Sequence, residues 1–390
     1  MKILHTADWH LGKIFHNADF LEDQKYILEQ ITEIIAQKKP DVVLLAGDIY
    51  ERSIPAADAI KLFDETISYI ILTLKVPIIA IAGNHDNPER ISYCNGILEK
   101  QGLHIFGRIS KDLQPIVFSD EYGKVYFYPI PYTEPEVLTH TLQCFDNPIR
   151  SHQEVMNWVT TEITQKHNLT TDRVVLILHA FVAGGQTSES ERDLYVGKAG
   201  YVQAETFANF DYVALGHLHL AQTFLNKKVH YAGSPLKYSF SEAEHSKAVS
   251  LVEIGEKGKL NLSQIPLKPK RNLHQVKGKI EQGKFVLTAP ATTHIDKEDY
   301  LQVTLQTTQY VGNLMSLIQK EYPNTLVLKF EDNNVNTQTL TELNLESLQA
   351  MNEITLFESF YQKFSYSPLS EKQKQVLQQI LNELQAQEKE

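Results

Sequence analysis

Along the first 250 residues, short apolar runs alternate with longer stretches of helical period. The runs "KILHTAD", "DVVLLAGD", "VPIIAIAGNHD", "VYFYPIP", "DRVVLILHA", "YVALGHLH" and "VHYAG" each end at a polar or histidine-bearing turn. Between the first of them lie "QKYILEQITEIIAQKK" and a segment from about Ala56 to Leu74, whose apolar residues recur three and four apart, as on a one-sided helix. Several runs are apolar almost throughout, which predicts strands covered on both faces and therefore an α/β domain over residues 1–266. From about Leu267 the composition shifts to Lys, Pro and Gly, and the order becomes strand ("DYLQVTLQ"), helix ("VGNLMSLIQKEY"), strand ("TLVLKFE"). A small α/β accessory domain is expected over 267–331. Residues 332–346 are polar without buried periodicity and read as a linker. Two amphipathic helices are expected over 347–390. The first carries Leu348, Met351, Ile354, Leu356, Phe357, Phe360, Tyr361 and Phe364, and the second, opened by the capping-box pair Ser370 and Gln373, carries Val376, Leu377, Ile380, Leu381 and Leu384.

At 390 residues the chain exceeds one ordinary domain of about 150 residues. Its two cysteines, Cys94 and Cys144, lack any C-x-x-C spacing, so neither a disulfide framework nor a thiolate zinc site is expected, and a reducing cytoplasm is the expected setting. The opening "MKILHTADWHLGK" meets His5 and Asp8 too early for a signal peptide. The longest apolar run, "YIILTLKVPIIAIAG", is broken by Lys75 and Pro77 and falls short of the roughly 20 residues of a membrane helix. Net charge is −11, but residues 331–390 hold ten acids against four bases, so most of the excess lies in the tail. Lys257 to Lys284 carries eight bases against Glu281 alone, a local basic strip suited to a phosphate backbone or to a solvated face.

The strand ends carry the chemistry. Asp8 and His10 follow the first run, Asp48 the second, Asn84, His85 and Asp86 the third; His179 ends "VVLILH", and His217 and His219 follow "YVALG". Residues two apart on an extended chain share a side, and in open α/β sheets the carboxyl ends of the strands form the binding crevice. Three carboxylates, one amide and five histidines thus reach one edge. Imidazole, carboxylate and amide without thiolate suit manganese, iron or zinc. The number of donors exceeds what one ion takes, and a bridged pair of metals is the usual clamp for displacement at phosphorus. Gly47, Gly83 and Gly216 stand beside these positions and permit close backbone approach.

The blocks "DWH", "GDIYERS", "GNHD", the lone strand-end His179 and "GHLH" resemble the five signature blocks of the calcineurin-like metallophosphoesterases over roughly residues 1–235. The resemblance implies an αββα sandwich bearing two divalent metals, Mn2+ first and Fe2+, Zn2+ or Mg2+ as alternatives. With "HAFVAGGQTSESERDLYVG", the accessory domain and the tail, the whole chain is similar to the SbcD family of bacterial nuclease subunits. Carried over position by position, the resemblance gives one metal to Asp8, His10, Asp48 and His219 and the other to Asp48, Asn84, His179 and His217, with Asp48 bridging. It makes His85 the catalytic non-ligand histidine at the scissile phosphate, and it leaves Asp86 to orient a histidine or a turn. Archaeal and eukaryotic relatives continue the "GD" block to a histidine that prepares duplex ends, where this chain has Glu51.

The implied activity is a Mn-dependent DNA nuclease, endonucleolytic on single strands and hairpins and exonucleolytic on duplex ends, acting in repair and recombination. The implied partners are DNA and an SbcC-like ATPase with a coiled coil, in a heterotetramer containing a homodimer of this chain, with no membrane. Phosphate contacts are expected from Lys268, Lys270 and Arg271, and ATPase contacts from Phe357, Phe360, Tyr361 and Phe364. No Walker motif occurs, so any ATP dependence belongs to another chain. The competing readings are a phosphodiesterase of small esters and a scaffold that keeps the fold without the chemistry.

Overall fold

A computed structural model of the chain describes residues 1–143, 145, 147–192, 200–288, 295–306, 314–331, 354–358, 361 and 369–387, the side chains of 382–387 excepted. In chain order the first strands are β1 (Lys2–Thr6), β2 (Val42–Ala46), β3 (Ile78–Ile81), β4 (Leu103–Phe106), β5 (Ile116–Asp120) and β6 (Gly123–Ile130). They are followed by β7 (Arg173–His179), β8 (Tyr212–Gly216), β9 (Gln222–Phe224), β10 (Val229–Tyr231), β11 (Ala248–Ile254) and β12 (Leu260–Pro266). These make two six-stranded sheets, β12-β11-β1-β2-β3-β4 and β9-β10-β8-β7-β6-β5. Within the first, β1 to β4 run parallel; within the second, β6, β7, β8 and β10 do.

The near-continuous apolar runs now have their reason. Every residue of β2, β3, β7 and β8 is buried. Leu44, Ala46, Ile79 and Ile81 of one sheet share a core with Phe127, Val175, Ile177 and Ala214 of the other. The opposite face of the second sheet packs Val174, Leu176 and Leu178 against Val155, Val159 and Ile163 of the helix α3 (His152–Lys166). On the first sheet Val43 and Leu45 are equally buried, as are Ile27, Ile31 and Ile35 of α1 (Leu21–Lys38). The sandwich is therefore the expected α/β arrangement. The helix expected from Ala56 to Leu74 is α2 (Ala57–Ser68) followed by a π-helical turn over Tyr69–Thr73.

Two compact units are present, one formed by Met1–His274 with Glu298–Tyr300, the other by Gln275–Lys297 with Leu301–Glu390. The segment after Leu267, expected to open the accessory domain, stays with the first unit. There Lys270 and Arg271 pair with Glu22 of α1, and Arg271 also with Asp23 at 3.1 Å. A four-stranded sheet of order β14-β13-β15-β16 follows, from β13 (Leu273–Glu281), β14 (Lys284–Leu287), β15 (Tyr300–Leu305) and β16 (Thr325–Phe330). Its β15 and β16 run parallel, and the connecting helix Leu314–Gln319 buries Leu314 and Ile318 against Leu301, Val303 and Leu305, the strand–helix–strand order read from the sequence. The basic strip itself is largely strand: β12 carries no charged residue, and in β13 Lys277 and Glu281 are exposed while Lys279 is half-buried.

The expected linker, 332–346, lies outside the described residues, as do Phe360 and Phe364. The helix α4 (Glu371–Gln387) is opened by the expected capping box, with the Ser370 amide donating to Gln373 Oε1 at 2.9 Å and the Gln373 amide to Ser370 Oγ at 3.4 Å. Among the described residues no helix is long and apolar enough to cross a membrane.

Candidate metal centre

Five parallel strands deliver the site: Asp8 and His10 follow β1, Asp48 follows β2, Asn84 to Asp86 follow β3, His179 ends β7, and His217 and His219 follow β8. The first three strands belong to one sheet and the last two to the other, so the crevice forms where two sets of carboxyl ends meet. The chain turns sharply to aim these groups. Asp8, His10, Asp48 and His217 have φ of 55°, 45°, 48° and 105°, a region that costs a non-glycine residue of order 1–3 kcal/mol and persists where the surroundings hold it. Two glycines let the ends converge. A Cβ on Gly47, at φ 87°, would stand 2.3 Å from His179 Nδ1, and one on Gly216 would stand 1.8 Å from the Ala46 carbonyl oxygen.

The side chains meet as a single cluster. His10 Nε2 lies 3.1 Å from His219 Nε2 and 3.6 Å from Asp48 Oδ2. His179 Nε2 lies 3.4 Å from Asp48 Oδ2 and 2.9 Å from Asn84 Oδ1, and His179 Nδ1 lies 3.0 Å from the Ala46 carbonyl. Asp8 accepts the His217 amide at 2.9 Å, and Asp48 accepts the His85 amide at 2.8 Å. Ligating atoms of Asp8, His10 and Asp48 lie within 4.8 Å of one another, as do those of His10, Glu51 and His85. Asp86 points away from the cluster to accept the amides of Ile49, Tyr50 and Gly83 at 2.9–3.1 Å. Of its two expected roles it performs the turn-holding one.

Charge explains what the cluster is built for. Burial pushes the Asp8 carboxyl up to about 7, against the pull of His179 and His219. Asp48 is buried as deeply, yet His179, His10 and His85 outweigh burial and hold it well below the carboxylate range. Burial alone would lower His179, but Asp48 and Asp8 carry it up to about 9. His10, by contrast, is lowered by burial to about 4. It is therefore neutral, with Nδ1 3.1 Å from Glu51 Oε2. The buried carboxylates thus draw a proton onto His179 while His10 stays neutral, and the donor set of carboxylate, amide and imidazole fits divalent cations of the manganese, iron and zinc group.

Residues that sequence reasoning did not single out complete the surround. Glu242, fully buried, lies 3.4 Å from His219 Nδ1, where Ser190 Oγ stands at 2.6 Å, and receives Lys247 Nζ at 2.5 Å. Glu191 accepts the His219 amide at 2.8 Å. Such partners fix the tautomer and orientation of His219. They sit in the polar stretches "SESER" and "SEAEHSK", where no periodicity marks them. The expected phosphate-binding residues Lys268, Lys270 and Arg271 are not part of this cluster: Lys270 and Arg271 are paired with Glu22, and Lys268 has no ion pair among the described residues. Of the expected partner-binding residues, Phe357 and Tyr361 stack on one another with centroids 6.4 Å apart.

Residues 1–221 match the calcineurin-like phosphoesterase family, and residues 269–364 match the SbcD C-terminal family, described as the type 5 capsule protein repressor C-terminal domain. Over 383 residues, covering 98% of both chains, the protein is 34% identical to the SbcD component of the SbcCD nuclease of Staphylococcus epidermidis. Among solved structures, a dimetal phosphatase from Danio rerio is 13% identical with a TM-score of 0.38, covering 69% of this chain and 99% of its own. A Thermus thermophilus protein, TT1561, is 13% identical with a TM-score of 0.37, covering 67% and 98%; neither superposition is close enough to bear on function. The family matches and the full-length identity together place the chain among the calcineurin-like phosphoesterases and, within them, in the SbcD family of nuclease subunits.

Proposed function

We propose that the protein is a metal-dependent DNA nuclease that hydrolyses phosphodiester bonds at the sheet-edge cluster, in DNA end processing with an SbcC-like ATPase in the cytoplasm. The observation that carries this reading is the convergence of Asp8, His10, Asp48, Asn84, His179, His217 and His219 from five strands, a donor set that fits two divalent cations, Mn2+ foremost. Asp8, His10, Asp48 and His219 would hold one, and Asp48, Asn84, His179 and His217 the other. When bound, these cations supply positive charge to the phosphate oxygens and a water poised for attack.

The chain's own groups do the rest. His85 gives its Nδ1–H to the Glu51 carbonyl at 2.8 Å, so Nε2, 4.0 Å from Asp48 Oδ2, is the nitrogen free to meet the scissile phosphate. A proton held there offsets charge building on the departing oxygen. Burial lowers the His85 pKa while Asp48 and Glu51 oppose it, which keeps the ring able to exchange a proton. Lys268, Lys270 and Arg271 guide the phosphate backbone; the pair of Lys270 with Glu22 is solvent-exposed and exchanges readily for a phosphate, while Arg271 also stays paired with the buried Asp23. Phe357, Phe360, Tyr361 and Phe364 belong to the ATPase-binding tail.

Cleavage of a short fluorescent single strand, measured beside para-nitrophenyl phosphodiester hydrolysis with Mn2+ and with chelator, tests the reading. Chelator-sensitive cleavage of the strand is expected. Hydrolysis of the small ester alone would favour a small-molecule phosphodiesterase, and no metal-dependent activity on either would favour a scaffold.

A further inference from the structure

Glu51 stands at the junction of three loops. Beyond the ends of β1 and β2 the chain segments remain side by side: the His10 amide donates to the Asp48 carbonyl at 3.0 Å, Leu11 to Ile49 at 2.9 Å, and Glu51 back to Leu11 at 3.2 Å. Leu11 and Tyr50 form a parallel bridge. This register places residue 51 beside His10. The third loop is tied in by Asp86, which accepts amides from Ile49 and Tyr50 on one side and Gly83 on the other.

Held there, Glu51 uses three atoms. Oε2 lies 3.1 Å from His10 Nδ1, Oε1 lies 3.1 Å from Lys13 Nζ, and the main-chain oxygen lies 2.8 Å from His85 Nδ1. Its side chain is 14% exposed, so little water competes for these partners. On each histidine the nitrogen facing Glu51 is Nδ1 and the nitrogen facing Asp48 is Nε2. His85 donates its Nδ1–H to the carbonyl, whereas His10 Nδ1 and Glu51 Oε2 meet as an ion-pair contact and have no hydrogen-bond partner among the described residues; the carboxylate favours a proton on His10 Nδ1, which leaves the lone pair on its Nε2. We propose that Glu51 is a positioning residue serving both halves of the site: its carboxylate presents His10 Nε2 as a metal ligand, and its main-chain carbonyl presents His85 Nε2 to the phosphate.

The two duties are separable, because substitution removes the carboxylate and keeps the carbonyl. The proposal rests on the metal-site reading above, under which His10 serves one cation and not the other. Partners behind a ligating histidine typically contribute 10–100-fold in metal affinity, so loss of the carboxylate weakens one equivalent by about that factor.

The test is calorimetric titration of the chelator-stripped, full-length protein with MnCl2, with thermal unfolding of the metal-free protein as the control for folding. Wild type is expected to take up two equivalents. Glu51→Ala is expected to weaken one of them about 10–100-fold and leave the other within about threefold, without lowering the unfolding temperature. Glu51→Gln, which keeps shape and a neutral acceptor, is expected to recover all but about threefold of the loss. Should the alanine variant fail to fold, the glutamine variant decides, and a loss confined to one equivalent supports the proposal. Unchanged binding, or equal weakening of both equivalents in a folded variant, overturns it. So does a third wild-type equivalent that disappears in Glu51→Ala, which would make Glu51 a ligand. Failure of wild type to bind Mn2+ overturns the metal-site reading instead.

Discussion

The sheet-edge cluster and the C-terminal helices treat their reactive surfaces in opposite ways. At the cluster Asp8, His10, Asp48, His179, His217 and His219 are all buried, each aimed by neighbours that accept or donate. In the tail the apolar stripe is open: Leu356 is 43% exposed, Phe357 42%, Val376 53% and Ile380 49%. Buried charge is costly and survives only when paired, so a catalytic centre inside a sandwich must be satisfied by its own fold or by cations. An apolar stripe that the fold leaves in water has the opposite requirement, and a second surface must cover it. The proposed chemistry thus lies among buried, partnered groups, and the proposed association among exposed apolar ones.

That contrast breaks most sharply at the cluster. Asp48→Asn removes the charge shared by both proposed cations, and cleavage is expected to fall by about three orders of magnitude or more together with Mn2+ uptake. His85→Ala is expected to lose about 10²–10⁴-fold in turnover while keeping both equivalents of metal. Calorimetry showing metal loss in the His85 variant would move that residue into the ligand set. In the tail, Phe357→Glu with Ile380→Glu is expected to leave the nuclease active and thermally unchanged but unable to co-purify with its ATPase. A lowered unfolding temperature would instead assign the stripe to the fold.

Away from both regions, buried histidines set a smaller pH effect. Burial lowers His152 and His230 to about 4 each, whereas in the unfolded chain a histidine titrates near 6.5. Below about 6.5 the unfolded state takes up protons that the native state refuses, so stability is full above that value and falls on acidification at up to roughly 1.4 kcal/mol per pH unit per histidine until about 4. Urea denaturation between pH 7 and pH 5 is expected to show this loss, and His230→Asn to shallow it. A slope unaltered by the substitution would show that other groups dominate. The smallest effect belongs to the basic strip. Replacing Lys268, Lys270 and Arg271 by alanine is expected to lower the salt slope of single-strand binding by about 0.7 per lost phosphate contact. An unchanged slope would leave Lys270 and Arg271 their pairing with Glu22 and, for Arg271, Asp23.

The cluster was legible because strand end, turn and polar side chain coincide. Residues of β2, β3, β7 and β8 are buried on both faces, so their apolar runs stop abruptly, and the polar residues at or just after their ends, Asp48, Asn84, His179 and His217, are the ones that converge. Glu242, Ser190 and Glu191 left no such trace, because a carboxylate or hydroxyl that reaches a histidine across 23 to 29 residues looks like any surface group. Glu51 was visible in sequence only as a departure from relatives. Its contact with His10 depends on the register of two segments beyond their strands. The strands β13 and β14 were hidden for another reason: their exposed positions include Lys277, Glu281 and Lys284, and so they read as a charged strip.

The most direct test of the centre is anomalous scattering at the manganese edge from crystals grown with Mn2+. Two peaks about 3.5–4 Å apart, flanking Asp48 with His10 and His219 on one and Asn84, His179 and His217 on the other, are expected. A single peak, or metal bound elsewhere with these side chains left as they are, would contradict the assignment of this cluster as a two-metal nuclease site.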